Sequence, residues 1–261
     1  MKNFLKVILI IVIILAIAGL VFLGVGYIKK LTQKVENPIA TIEVQDFGTI
    51  KIELYPEYAP NTVTNFIALA NRGYYNGKQF NKTIPDYFVK AGSESTDSMT
   101  MPKLSNIKDN VSEDDDAEYA ISGEFTANGY RNNTLKMQKG VIAMERNDYG
   151  RQDASLTTQG YNSAGAEIFI LTNDMENLNG LYAGFGKVIE GLDVLEQIAN
   201  VEVITRDKNA ESGIDVPVNP PVINQITVDT HGIDYKTPKT IEPFNYYNWL
   251  IKKYQSNMSA Q

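Results

Sequence analysis

Few residues of this 261-residue chain could carry covalent chemistry. There is no cysteine, so thiolate nucleophiles, disulfides and cysteine metal sites are excluded. The one histidine, His231, precedes Gly232 in a stretch of turn composition, and nothing near it completes a Ser-His-Asp triad or a multi-histidine metal site. It reads as a surface turn residue. The acidic run Glu113-Asp114-Asp115-Asp116 could draw a divalent cation, but it lacks the spaced Asp/Asn and the glycine of a calcium loop and reads as solvated. No cofactor is expected. The formal net charge of −7 argues against nucleic-acid binding, which needs clustered Lys and Arg. What remains is non-covalent chemistry. Amines and carboxylates such as Lys82, Lys90 and Glu145 lie in or beside strand-like runs rich in aromatic residues.

The elements that must position these groups are mostly strands. Hydrophobic residues make up 43% of the chain and charged ones 21%, ordinary for a globular protein with one hydrophobic core. Ala40, Ile42 and Val44 alternate with Thr41 and Glu43, and Ile50, Ile52 and Leu54 with Lys51 and Glu53, the period of a half-buried strand. Gln45-Asp46-Phe47-Gly48 between them is of hairpin length. Further short strands are predicted at Gln79–Ile84, Tyr87–Ala91, Gly140–Glu145, Glu167–Thr172, Phe185–Ile189 and Val222–Val228. Two helices interrupt them. One opens at Pro60, with Val63, Phe66, Ile67 and Ala70 on one face and Gly73 as its C-terminal cap. The other spans Gly191–Asn200, with Leu192, Leu195, Ile198 and Ala199 toward the core. The pattern predicts an all-β fold with two capping helices, a closed antiparallel barrel. Two polar connections are long: Ser93–Asn133, and Asn147–Gly160, which could form the rim of a binding groove.

Residues 1–34 read differently. Val7 to Ile28 carries no charge, and as a helix it would span roughly 33 Å, the thickness of a bilayer core. A transmembrane anchor is the expectation. The other reading, a cleaved signal, has small residues at Ala16-Ile17-Ala18, but the apolar run continues past them. Lys2 and Lys6 precede the span while Lys29, Lys30 and Lys34 follow it, so the positive-inside rule gives no orientation. The domain at 35–230 is placed outside the cytoplasm, as a single-pass cell-membrane protein, because a short anchor before a large globular region is the usual export arrangement. The tail, 231–261, contains a helical stretch at Ile241–Tyr254. That stretch either touches the membrane with its aromatic face or packs on the barrel.

From Ile39 onward the chain resembles the cyclophilins, and its motifs follow in the family's order. Gly48–Tyr55 and Ala59-Pro60-Asn61-Thr62-Val63-Thr64-Asn65-Phe66 resemble the opening hairpin and first helix. Phe80–Gly92 stands where the family has its Phe-His-Arg…Ile-Pro…Phe-Met…Gln-Gly-Gly strand pair. Gly123-Glu124-Phe125, Gly140–Met144, Asn162–Ile170 and Leu178–Val188 follow, in wording closest to bacterial members.

The resemblance implies a peptidyl-prolyl cis-trans isomerase (rotamase). Rotation about an X–Pro bond faces a barrier of about 18–20 kcal/mol, and lowering it needs no covalent step, only tighter binding of the twisted amide. The resemblance further implies an apolar slot for the proline ring and a donor facing the prolyl nitrogen, which regains its lone pair as the amide twists. In the family that donor is an arginine; here the position is Lys82, which keeps the charge and loses the planar fork. The preceding histidine is Asn81, and the glutamine that holds a neighbouring carbonyl is Lys90, able to donate but not to accept. Tyr87-Phe88 replaces Phe-Met, Phe169 keeps the slot floor, and Leu178 and Tyr182 are its walls. Ala166-Glu167-Ile168 replaces Ser-Gln-Phe, Glu145 joins the substrate side, and Asn177 stands at a Trp or His position. Proline-containing polypeptides are the implied partners. Three functions follow: an isomerase of reduced activity assisting folding of exported proteins, a catalytically weak module binding proline peptides or a partner, or a scaffold. For Lys82 the plain alternative is a solvated edge lysine, and for the slot aromatics plain barrel core.

Overall fold

The alternating runs near the start of the domain pair as predicted. In the computed structural model, which describes Gly19 and residues 36–93, 99–205 and 215–259, β1 (Ile39–Val44) and β2 (Gly48–Leu54) form an antiparallel hairpin. Asp46 turns it with a φ of 63°, and the Phe47 amide donates to Val44 O at 3.2 Å. Ala40, Ile42, Ile50, Ile52 and Leu54 are buried, while Thr41, Glu43, Lys51 and Glu53 point outward. The other strands are β3 (Phe80–Ile84), β4 (Phe88–Ala91), β5 (Val141–Met144), β6 (Ile168–Leu171), β7 (Gly184–Glu190) and β10 (Ile223–Asp229). Each falls within a residue or two of a predicted run. A small hairpin of β8 (Val203–Thr205) and β9 (Asp215–Pro217) was not predicted.

The eight main strands form one antiparallel sheet in the order β10-β1-β2-β7-β5-β6-β4-β3. It is a half-barrel, and the closed barrel expected from the sequence is not formed. Among the described residues its two edges meet at the bridge Gln79↔Val222, made by Phe80 N–H to Pro221 O and Ile223 N–H to Lys78 O, both 2.8 Å, with Gly77 N–H to Ile223 O beside it. The next rung would need an amide hydrogen on residue 221. Proline has none, so the ladder stops there.

Helix α1 (Pro60–Asn71) crosses the sheet with Val63, Phe66, Ile67, Leu69 and Ala70 buried. Its end is a Schellman turn: Gly73, at φ +68°, donates to Ala70 O, and Tyr74 donates to Leu69 O. Its start has Ala59 at the cap, which offers no side-chain acceptor, and Pro60, which needs none. The free amides of Asn61 and Thr62 are instead taken by the buried carboxylate of Glu124, at 3.0 and 2.7 Å, and the Thr62 hydroxyl donates to it at 2.8 Å. A negative charge on the positive helix end is favourable, so the Gly123-Glu124-Phe125 motif ties a distant loop to α1.

The connection after Asn147 is not plain loop. It contains the short helices α2 (Tyr149–Gln152) and α3 (Thr157–Tyr161). Helix α4 (Leu192–Ala199) covers the other end of the sheet, but Leu192 is 40% exposed and Val194 takes the inward place expected for it. Gly191, before the helix, is left-handed at φ +85°. The tail docks on the rim: Ile241 pairs with Ala120, and in α5 (Tyr246–Ser259) Tyr246 stacks on Tyr149 at 5.5 Å. The other side of α5 leaves Tyr247 71% and Met258 79% exposed. His231 sits in a left-handed turn, its amide bonded to the Asp229 carboxylate at 2.8 Å. Among the described residues no helix is long and apolar enough to cross a membrane; the expected span Val7–Ile28, apart from Gly19, lies outside them.

Replacing Glu124 by alanine leaves the buried Thr62 amide and hydroxyl and the partly buried Asn61 amide without their acceptor at the α1 N-terminus. We expect a loss of about 2 kcal/mol in urea unfolding, against a change within about 0.5 kcal/mol for Asp114→Ala in the solvated acidic loop.

Candidate active site

Strands β4 and β6 each serve two hydrophobic clusters, because successive side chains point to opposite faces. Val89, Ala91, Ile168 and Ile170 enter the main core with Phe66, Phe80 and Phe185. The register puts the intervening residues together on the outer face: Lys82 opposite Lys90, Lys90 opposite Phe169, Phe169 opposite Ala143, and Phe88 opposite Leu171. There a second cluster forms from Met137, Val141, Ala143, Phe169, Leu171 and Leu178, bordered by Tyr87, Phe88 and Tyr182. The predicted slot residues therefore do converge.

A local turn aims the slot's near wall. In Ile84-Pro85-Asp86-Tyr87, proline presets its own φ, Asp86 adopts φ 57°, and the Tyr87 amide closes the turn on Ile84 O at 3.1 Å. Tyr87 and Phe88 then meet edge to face at 4.6 Å, Phe88 lies 5.7 Å from Phe169, and Phe169 lies 5.2 Å from Tyr182 at 87°. Phe169 is 3% exposed and forms the floor; Phe88 and Tyr182 remain partly open. Leu178 is buried beside them, whereas the neighbouring Asn177 faces solvent.

Charged residues lie beside the rings. The Lys90 ammonium contacts Glu167 at 3.1 Å, and Glu167 is fully buried. One Glu167 oxygen has no hydrogen-bond partner among the described residues. Glu145 is adjacent, since its amide donates to Glu167 O at 2.9 Å, and its carboxylate accepts from the Arg146 amide at 3.0 Å. Burial pushes the Glu145 carboxyl above its ordinary range; the Arg146 amide and Lys90 oppose this, and Glu167 adds to it. Its side chain keeps some accessible surface, but protein atoms surround the carboxylate.

Lys82 is half-buried, with its ammonium 5.7 Å from the centre of the Phe88 ring. Burial lowers its pKa, and the Lys90 ammonium across the ladder lowers it further; Glu145, Asp215 and Glu167 act the other way. Lys82 stands on the edge strand β3 and is partly exposed. Tyr182 is pushed up to about 12, first by burial and then by Glu145, with Arg146 opposing.

Sequence reasoning left two groups out of the site. Glu167 was visible as a charge inside the apolar run Ala164–Leu171, where a buried carboxylate requires a partner. Arg146 carried no such signal, because its neighbours come from three separate loops. An open groove of about 930 Å³, lined in part by Asn61, Glu124, Asn162 and Lys239, lies by the start of α1 and includes none of the predicted site residues.

The raised Glu145 pKa makes a stability prediction. The folded state binds the proton more tightly than the unfolded chain, so stability falls as pH rises from the ordinary carboxylate range through the raised value. Glu145→Gln should unfold at higher urea than wild type at pH 7, and the advantage should vanish on acidification below about pH 4.

Residues 39–228 match the sequence profile of the cyclophilin type peptidyl-prolyl cis-trans isomerase/CLD family. A peptidyl-prolyl cis-trans isomerase of Acinetobacter baylyi is 31% identical over 165 residues, 61% of this chain and 71% of the relative. Peptidyl-prolyl cis-trans isomerase B of Bacillus subtilis is 28% identical over 161 residues, 62% of this chain and 90% of the relative. Among solved structures, a Cryptosporidium parvum cyclophilin type isomerase crystallised in the presence of the dipeptide Ala-Pro superposes with a TM-score of 0.55 at 22% identity, covering 73% of this chain and 98% of its own. With the profile spanning nearly the whole sheet, from β1 to β10, the chain belongs to the cyclophilin-type peptidyl-prolyl cis-trans isomerases.

Proposed function

We propose that this isomerase acts on proline-containing segments of exported proteins, with Lys82 as the donor to the prolyl nitrogen and an activity below that of family members with an arginine there. The observation that carries this reading is the half-buried Lys82 ammonium above Phe88, at the edge of the slot floored by Phe169. The proline ring enters between Phe88, Phe169, Leu178 and Tyr182. As the amide twists, its nitrogen becomes an acceptor, and a charged donor already in place stabilises that state more than either planar isomer. The crystallised relative with Ala-Pro supports proline peptides as the ligand class.

Reduced turnover follows from the two lysines. Lys82 directs one hydrogen bond where a guanidinium directs two in a plane. Lys90 is bound to Glu167 and is less free to hold a substrate carbonyl. The same pairing favours the second reading, a module that binds proline peptides and turns them over slowly. The proposed anchor is the uncharged run Val7–Ile28, long enough for a bilayer core; the outward orientation follows from the usual export arrangement, and outside the cytoplasm X–Pro bonds of emerging chains relax over tens of seconds unaided.

Lys82→Ala should lower kcat by about a hundredfold and Lys82→Arg should raise it, with peptide affinity changing much less in both. Equal activity of wild type and Lys82→Ala would remove Lys82 from the mechanism. Because burial and Lys90 depress the Lys82 pKa, activity should fall on the alkaline side below the range of an exposed lysine, and Lys82→Arg should abolish that limb. For the cellular role, protease added to intact cells should digest the domain while cytoplasmic markers survive; protection until lysis would reverse the topology.

A further inference from the structure

The Arg146 side chain lies in a cage of three rings. Its guanidinium carbon is 4.6 Å from the centre of Tyr182, 5.0 Å from Tyr161 and 5.7 Å from Phe125. Its Nε donates to Leu181 O at 3.0 Å and its Nη1 to Asn147 O at 3.2 Å. Four segments meet here: the loop bearing Glu124, the two ends of the rim insertion, and the Leu178–Gly184 stretch that supplies the slot's walls. The cage is tight, since Phe125 and Tyr161 are themselves in edge contact at 5.2 Å. A Cβ on Gly123 would stand 2.3 Å from both the Phe125 ring and Tyr161 O.

We infer that Arg146 is the positioning residue of the slot: it holds Tyr182 edge-on against Phe169, and so sets the width of the space that receives the proline ring. Tyr182 belongs to no strand and follows Leu181 out of a short turn, so no ladder fixes its ring. What it does have is Phe169 on one side, at 5.2 Å, and the guanidinium on another. A guanidinium suits the place because its faces attract ring quadrupoles while its in-plane N–H groups reach carbonyls. An ammonium cannot stack on the rings and hold two carbonyls in that plane. Arg146 touches no reacting atom. It acts through Tyr182, on binding of the ring in ground and transition states alike.

The inference rests on the slot taking proline, and its test separates the two. Using the full chain and an Ala-Pro-containing peptide, Arg146→Lys should raise KM by about tenfold and leave kcat within about threefold, the mark of uniform binding. In a Tyr182→Ala background the same substitution should change KM by less than about twofold, because positioning has nothing left to position. If the penalty is the same in both backgrounds, or absent in both, Arg146 does not act through Tyr182 and the inference falls while the slot stands. If wild type binds no proline peptide, both fall. Should Arg146→Lys fail to fold, Tyr161→Leu removes one wall of the cage and must show the same coupling to Tyr182; independence there also overturns the inference.

Discussion

Much of this domain depends on satisfying two buried carbonyls ahead of β6, Gly165 O and Ala166 O. Neither lies in a strand, and a buried carbonyl without a donor is costly. Asn65, inside α1, donates to Gly165 O at 2.7 Å, and the fully buried Tyr75 donates to Ala166 O at 2.9 Å. Tyr119 then donates to the remaining side-chain oxygen of Asn65 at 2.8 Å, and the Ile121 amide reaches Ala164 O at 2.8 Å. Burial raises the pKa of Tyr75 and Tyr119 far above the ordinary phenol range, so both stay protonated donors. Gly92 completes the arrangement by close approach, since any Cβ there would stand 2.6 Å from Ala166 O. Helix, sheet and polar loop are thereby referred to one short segment, and the next residues along it are Glu167 and Phe169.

The site inherits its order from that segment. Glu167 directly follows the clamped Ala166 carbonyl and Phe169 comes two residues later, on the same face of the chain. Burying a carboxylate is tolerated when a cation is held against it, which Lys90 does across the β4–β6 ladder. The other two charges beside the slot are Lys82, which is half-buried, and Glu145, whose carboxylate is enclosed by protein atoms. Their protonation equilibria are shifted toward neutrality by the same low-dielectric surroundings. The altered polar groups thus form one electrostatic unit rather than a set of independent replacements.

Strands and the helices α1 and α4 were legible because their side-chain periods differ and their boundaries carry Pro60, Gly73 and Gly191. The slot aromatics were legible through the family's motif order. The half-open sheet was harder to read: strand composition alone says nothing about which edges meet. Leu192 was misplaced because a first-turn residue that follows a left-handed glycine need not continue the inward stripe of its helix. The rim helices α2 and α3 are too short to show a period. Arg146 was invisible for a different reason, since its cage is assembled from residues far apart in sequence and no local pattern announces it.

The pairing of β1 with β10 has a consequence for how the chain acquires its structure. Ile39 lies opposite Asp229, so the first strand of the domain finds one of its two neighbours only after nearly the whole domain is available. Contacts of such long sequence separation carry a large loop-closure entropy and slow the search for the native state. Until β10 arrives, β1 presents an unpaired edge of alternating apolar residues, Ala40, Ile42 and Val44, of the kind that invites pairing with other chains. The domain therefore passes through an aggregation-exposed stage, lasting as long as its last strand is missing.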